Sequence, residues 1–250
     1  MPIRALGGEL LVLIVLAAAS ACRGATGGLF KQYEYEEDMY LSLDGSATIY
    51  VNSSVVAFNA LRGTSFDTGP TARIDREVRE YFETPVTHVT RLSRPSRRNN
   101  RRFIHVRLDV PDVRRLREAP PFAWSAYEFT REDPVYLYRQ TVGPPAGAGP
   151  VAGLTGQEIV AFRLHLPSKI VFHNTGTAPG RGNILVWEQS LRDRLQGVPL
   201  MLDARMETQS ILYRTLRLFG ATFVAVACTF GLVIWWILRR GARAAEREVL

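Results

Sequence analysis

The sequence predicts an α+β fold, mainly antiparallel sheet with two or three short helices, plus one C-terminal transmembrane helix. Three observations predict it. Stretches of apolar and polar alternation recur between residues 33 and 206, an Asp-Gly pair joins the first two of them, and residues 218 to 238 carry no charge.

The chain opens with Arg4, an apolar run from Leu10 to Ala19, and the small residues Ala19-Ser20-Ala21. That order reads as a secretory signal peptide over 1–21, because the apolar part is too short to span a bilayer. Cleavage after Ala21 satisfies an ordinary signal peptidase. It also leaves Cys22 as the new N-terminus, the residue that lipoprotein processing acylates. Plain cleavage and lipidation of Cys22 therefore share one bond. Ala19 stands where a lipobox usually has Leu, Val or Ile. Residues 22–32, with RGATGG, read as a flexible linker.

In EEDMYLSLDGSATIYVNSS, a two-residue turn at Asp44-Gly45 scrambles the faces, whereas a three-residue turn puts Met39, Leu41, Ala47, Ile49 and Val51 on one face. A type I turn with Gly45 in the left-handed bulge position follows. Ser53 or Ser54 then reads as the N-cap of a short helix through Leu61, closed by Gly63. In TARIDREVREYFETP, Ile74, Val78, Tyr81 and Phe82 share one helical face, with Asp75–Arg79 and Arg76–Glu80 pairs on the other. This is an amphipathic helix lying on a sheet.

Strand alternation resumes at VTHVTRL and FIHVRLDV, and further strands are expected at 122–130, 134–142, 159–166, 184–190 and 199–206. Val160, Phe162, Leu164 and Leu166 should face inward. The low-complexity stretch GPPAGAGPVAG, 143–153, is either a boundary between 30–142 and 154–206 or a long loop within one domain. The exported domain is set at 33–206, and 207–238 reads as a membrane-proximal and transmembrane helix. Residues 218–238 would rise ~32 Å, enough to cross the hydrocarbon core. Trp235 and Trp236 followed by Arg239, Arg240 and Arg243 place the tail, 239–250, in the cytoplasm.

Composition narrows the function. The only two cysteines are Cys22 and Cys228, so the exported part contains no disulfide. The net charge is +7, and all but two of the 31 basic residues are arginine. An exported domain argues against nucleic acid as the partner and points to anionic lipid head groups as the counter-charge. The densest basic stretch is RLSRPSRRNNRR, 91–102, which reads as a basic hairpin loop. Arg94, Arg97, Arg98, Arg101 and Arg102 could bind anionic head groups there, or could simply solvate a turn. His88 and His105 might meet across that hairpin, but a metal site lacks further ligands, and no metal is expected. No nucleophile elbow, zinc-protease helix or phosphate-binding glycine loop is present, so neither an enzyme nor a cofactor is expected. Phe122, Trp124, Tyr127, Phe129, Tyr136 and Tyr138 read as core, or as the lining of an acyl-chain pocket.

Cys22, the opening YEYEEDMYLSLDGSATIYV, then FRLHLPSKIVFHNTG, NILVWE and a closing apolar helix with arginines together resemble the LppM-like bacterial envelope lipoproteins. The resemblance implies an exported α+β domain that binds lipid, and it carries over no catalytic residue. Two readings follow. One is a membrane-anchored envelope protein whose exported domain binds lipid or another amphiphile, which requires a cavity in the sheet. The other is a non-catalytic envelope scaffold or protein-interaction module, which requires a solid core and an exposed apolar patch.

Overall fold

The computed structural model describes residues 31–69, 73–147, 153–180 and 182–248. The signal-peptide segment 1–21 and the lipidation position Cys22 lie outside the described residues, as does all of the 22–32 linker before Lys31.

Among the described residues, ten strands form two sheets. They are β1 (Tyr33–Leu41), β2 (Ala47–Ser54), β3 (His88–Arg98), β4 (Arg101–Val110), β5 (Ser125–Glu132), β6 (Val135–Val142), β7 (Ile159–His165), β8 (Ser168–His173), β9 (Ile184–Ser190) and β10 (Leu200–Ser210). A six-stranded sheet has the order β3-β4-β2-β1-β7-β9, and a four-stranded sheet the order β5-β6-β10-β8. All neighbours are antiparallel except β1 and β7, which run parallel. Helices are α1 (Val55–Arg62), α2 (Asp75–Phe82), α3 (Leu191–Leu195) and α4 (Ile211–Glu248), with 3₁₀ turns at Val113–Glu118 and Pro120–Phe122.

The first hairpin forms as the apolar register requires. Leu41 opposes Ala47 and Met39 opposes Ile49. The Ser42 N–H donates to the Ser46 carbonyl at 2.8 Å, closing a three-residue turn in which Gly45 has φ +91°. Ser54 caps α1 by accepting from the Ala57 N–H, and Gly63 ends it in the left-handed conformation. In α2, Val78 and Phe82 are buried and Arg76 pairs with Glu80, while Arg79 turns to the Val89 carbonyl.

One face of the six-stranded sheet is covered. Tyr35, Met39, Ile49, Val51, Ile104, Val106, Leu108, Phe162 and Leu164 join Phe58 and Leu61 of α1, Phe82 of α2, and Tyr138, Leu202 and Met206 of the four-stranded sheet in one core. The other face is polar. Arg163 bridges Glu36 and Asp38, and Tyr40 stacks on His165. Both sheets draw strands from either side of residues 143–153, and described residues of that stretch pack on the domain: the Ala146 N–H donates to the Leu61 carbonyl at 3.1 Å.

One expectation changes, and one strand appears where alternation predicted none. Residues 207–210 are the end of β10, not helix, because they continue the ladder to β8 as far as Ser210–Ser168. β8 itself breaks simple alternation: a register shift around Val171 turns Phe172 onto the outer face opposite Arg205, while Ile170 faces inward opposite Met206. β10 passes into α4 without a spacer, and the Ile211 N–H donates to the Pro167 carbonyl at 3.1 Å. Within α4, Ile211–Ile237 is long and apolar enough to cross a membrane, and none of it is buried against the domain.

Replacing Gly45 by Ala forces a Cβ into a left-handed turn 3.3 Å from the Phe129 ring. Denaturant unfolding should show a loss of about 1–2 kcal/mol, with a smaller loss for Gly45→Asn, which tolerates that conformation.

Candidate functional site

The arginine-rich stretch is not a loop. β3 runs to Arg98 and β4 starts at Arg101, so only Asn99 and Asn100 make the turn, both at positive φ. A two-residue turn of that kind matches the twist of the flanking strands, and asparagine tolerates it. The pairing sets Arg98 opposite Arg101 and Arg97 opposite Arg102. Like charges in that position repel, and the side chains separate toward different partners. Arg98 donates to the Tyr33 carbonyl and lies over the Phe103 ring. Arg101 reaches Glu34 at 2.5 Å and Glu158 at 3.5 Å, both carboxylates being nearly inaccessible, and it also donates to the Gly153 carbonyl. Arg102 donates to the Gly69 carbonyl. Arg94 and Arg97 are exposed and make no ion pair among the described residues. The hairpin tip adjoins the Tyr33 end of β1, whereas α4 leaves beside Pro167, past the His165 end of β7. The arginines and the apolar helix thus stand at opposite ends of the six-stranded sheet.

His88 and His105 do not meet. His88 opposes Asp109 and bonds Glu83, while His105 opposes Ser93 and lies between Asn52 and Ser96. Among the described residues, no group of three His, Cys, Asp or Glu side chains is placed to hold a metal ion.

The aromatic residues expected to line the sheets surround a buried polar cluster that the sequence did not announce. Glu37, on the inward face of β1, accepts from the Tyr35 hydroxyl at 2.8 Å and from Gln140 at 3.4 Å. Arg62, the last residue of α1, donates to the Tyr35 hydroxyl and lies 3.5 Å from Glu37. Gln140 accepts from Tyr138 and donates toward Ser125 and Tyr127. Burial pushes the Glu37 carboxyl up, against the pull of Arg62 and of the Tyr35 bond. Burial raises the hydroxyls of Tyr35, Tyr127 and Tyr138 well above the ordinary tyrosine range. The Arg62 guanidinium lies 3.4 Å from the centre of the Trp124 ring, and Tyr35, Trp124 and Phe162 meet edge to face or tilted, with centroids about 6 Å apart. Rings and this network thus meet between the two sheets.

Apolar side chains are instead exposed at the edge of the four-stranded sheet. Val171 is 58% and Phe172 46% exposed, and Met201 on the neighbouring strand is 51% exposed. Arg205 lies over the Phe172 ring, and Lys169 and Arg214 both pair with Glu207 near the end of β10. A more polar groove of about 500 Å³ lies elsewhere, between Lys31, Tyr33, Arg163, Trp187 and Glu188, and its charges are paired.

Arg101 and Arg97 separate the structural arginines from the solvated ones. Arg101→Gln, which strips two buried carboxylates of their cation, should cost about 3 kcal/mol or more in denaturant unfolding. Arg97→Gln should stay within about 0.5 kcal/mol of the natural protein.

No family model matches the sequence, and no curated protein matches it. Among solved structures, the chain bears a distant likeness to the folded domain of LppM from Mycobacterium tuberculosis, determined by NMR. Identity is 10%, coverage is 72% of this chain and 94% of that one, and the TM-score is 0.39. At that distance no residue role passes from that domain to this chain.

Proposed function

We propose that the protein is a membrane-anchored, non-catalytic envelope module whose extracytoplasmic domain docks another envelope component along β8. One observation carries this reading: Val171 and Phe172 are exposed on a strand that pairs on one side with β10, while the inward apolar side chains of both sheets join in one core. A docking domain needs apolar surface outside its layers, and Val171 and Phe172 supply it. An edge strand also offers unpaired backbone groups to an extended partner segment. Phe172 lies about 16 Å along the strand from Pro167, where α4 departs. Residues 211–217 add ~10 Å of helix before the uncharged run. With β8 directed away from the bilayer, the patch would stand clear of the head-group layer and within reach of a protein neighbour.

A second reading, contact with lipid or another amphiphile, is favoured by the basic residues Lys169 and Arg205 on β8 and β10 and Arg214 and Arg217 on the first turns of α4. Head-group contact by Arg94, Arg97, Arg98, Arg101 and Arg102 finds less support, since the hairpin tip lies away from the helix and three of the five are engaged within the domain.

A photo-crosslinking residue at Val171 or Phe172 in living cells should give a discrete protein adduct that is absent when the same residue replaces Thr130 on β5. An adduct of lipid mass would move the reading to the amphiphile, and no adduct at either position would overturn both. For the orientation, a reporter active only in the cytoplasm should work when fused after Leu250 and fail when inserted at Gly147. The reverse pattern would overturn it.

A further inference from the structure

Besides the network around Glu37, the core contains a second buried cation. Arg194 of α3 is fully buried. It donates to Gln189 Oε1 at 3.1 Å and to the Gly143 carbonyl at 2.9 Å, both uncharged acceptors. Its guanidinium faces the Trp124 ring, at 5.6 Å, as that of Arg62 does at 3.4 Å. Two cations thus share one indole. The single carboxylate bonded within the cluster is Glu37, which is already shared with Tyr35 and Gln140. Burial, and then the nearby Arg62, push the Arg194 guanidinium down from its ordinary range.

The hydrogen-bond inventory is one-sided in the same way. Arg62 Nε and Nη1, Arg194 Nε and Trp124 Nε1 are buried donors with no acceptor. Arg62 is 8% exposed and Arg194 0%, so bulk water does not satisfy them. A buried water would accept from one or two of these groups, yet it would bring two further donors into a region whose acceptors are taken. A neutral acceptor would leave the excess positive charge in place. An oxyanion supplies several acceptor atoms and the missing negative charge together.

The surrounding backbone is built around this spot. The Gly143 N–H donates to the Trp124 carbonyl at 2.7 Å, and a Cβ at Gly143 would lie 2.6 Å from that oxygen. A Cβ at Gly147 would lie 2.3 Å from the Ala60 carbonyl. Glycine at both places lets the segment 143–147 lie against Trp124 and the end of α1, beside Arg62 and Arg194.

We propose that Arg62, Arg194 and Trp124 form a buried site for a phosphate-type oxyanion, either free phosphate or the phosphate of an ester. The site is separate from the β8 surface and does not depend on it.

The full chain in detergent micelles, with ¹⁵N-labelled tryptophan indoles, tests this directly. Trp124→Phe identifies the Trp124 signal. Titration with inorganic phosphate at constant ionic strength should shift the Trp124 indole N–H saturably and leave those of Trp187, Trp235 and Trp236 in place. Arg62→Lys and Arg194→Lys keep the charge but lose guanidinium donors, and each should weaken the apparent affinity by about tenfold or more. The unshifted Trp187 signal reports that these variants remain folded. A stronger response to glycerol 3-phosphate would assign an esterified ligand, and a stronger response to inorganic phosphate the free ion. A Trp124 signal that stays still up to about 50 mM phosphate, far above a millimolar Kd, would overturn the site. So would an equal shift with chloride, or natural affinity in both folded lysine variants.

Discussion

The parallel pairing of β1 with β7 is the constraint on which the rest of the architecture depends. It lies inside the six-stranded sheet and joins strands on either side of the 143–153 stretch. Parallel neighbours cannot be linked by a tight turn. The chain between them uses its length to build β2 to β6, α1 and α2, and the chain after β7 completes both sheets. The same pairing assigns the two ends of the domain. Lys31 and the β3–β4 tip fall at the Tyr33 end, and the path through Pro167 to α4 leaves from the other. A lipid on Cys22 would therefore tether the domain from the end opposite α4, across at most ~30 Å of chain.

Charge burial is the second theme. Arg62, Arg101 and Arg194 each carry a cation into protected surroundings, and they meet three different solutions. Arg101 lies between two carboxylates, Glu34 and Glu158. Arg62 shares one carboxylate with a tyrosine and a glutamine and covers an indole. Arg194 has only uncharged acceptors and lies near Arg62. Removing an ion from water costs several kcal/mol unless the new partners replace hydration, so the balance worsens along that series. The surplus gathers at Trp124, where the oxyanion site is proposed.

This distribution changes the meaning of an arginine-rich sequence. Three of the five arginines first assigned to head groups bind the domain's own carbonyls, carboxylates and rings. The aromatic strands likewise turn Tyr35, Trp124 and Phe162 toward one another around the Glu37 network. Exposed apolar surface is left where the β8 register shift turns Phe172 outward.

By itself the sequence determined the features governed by local chemistry. The Gly45 turn follows from which residues share a face, the Ser54 cap and Gly63 stop follow from backbone conformation, and the inward set Val160, Phe162 and Leu164 follows from a period of two. The apolar length of α4 was equally plain. β8 was missed by alternation because its register shift destroys the period, and the β3–β4 arginines read as a loop because charge masks the strand that Asn99-Asn100 closes. Tertiary structure alone decided that β1 would pair with β7, that Arg62 and Arg194 would meet at Trp124, and that the basic hairpin would lie away from α4. Such encounters join residues far apart in the chain, and their free energy comes from mutual burial, which no local pattern of residue types encodes.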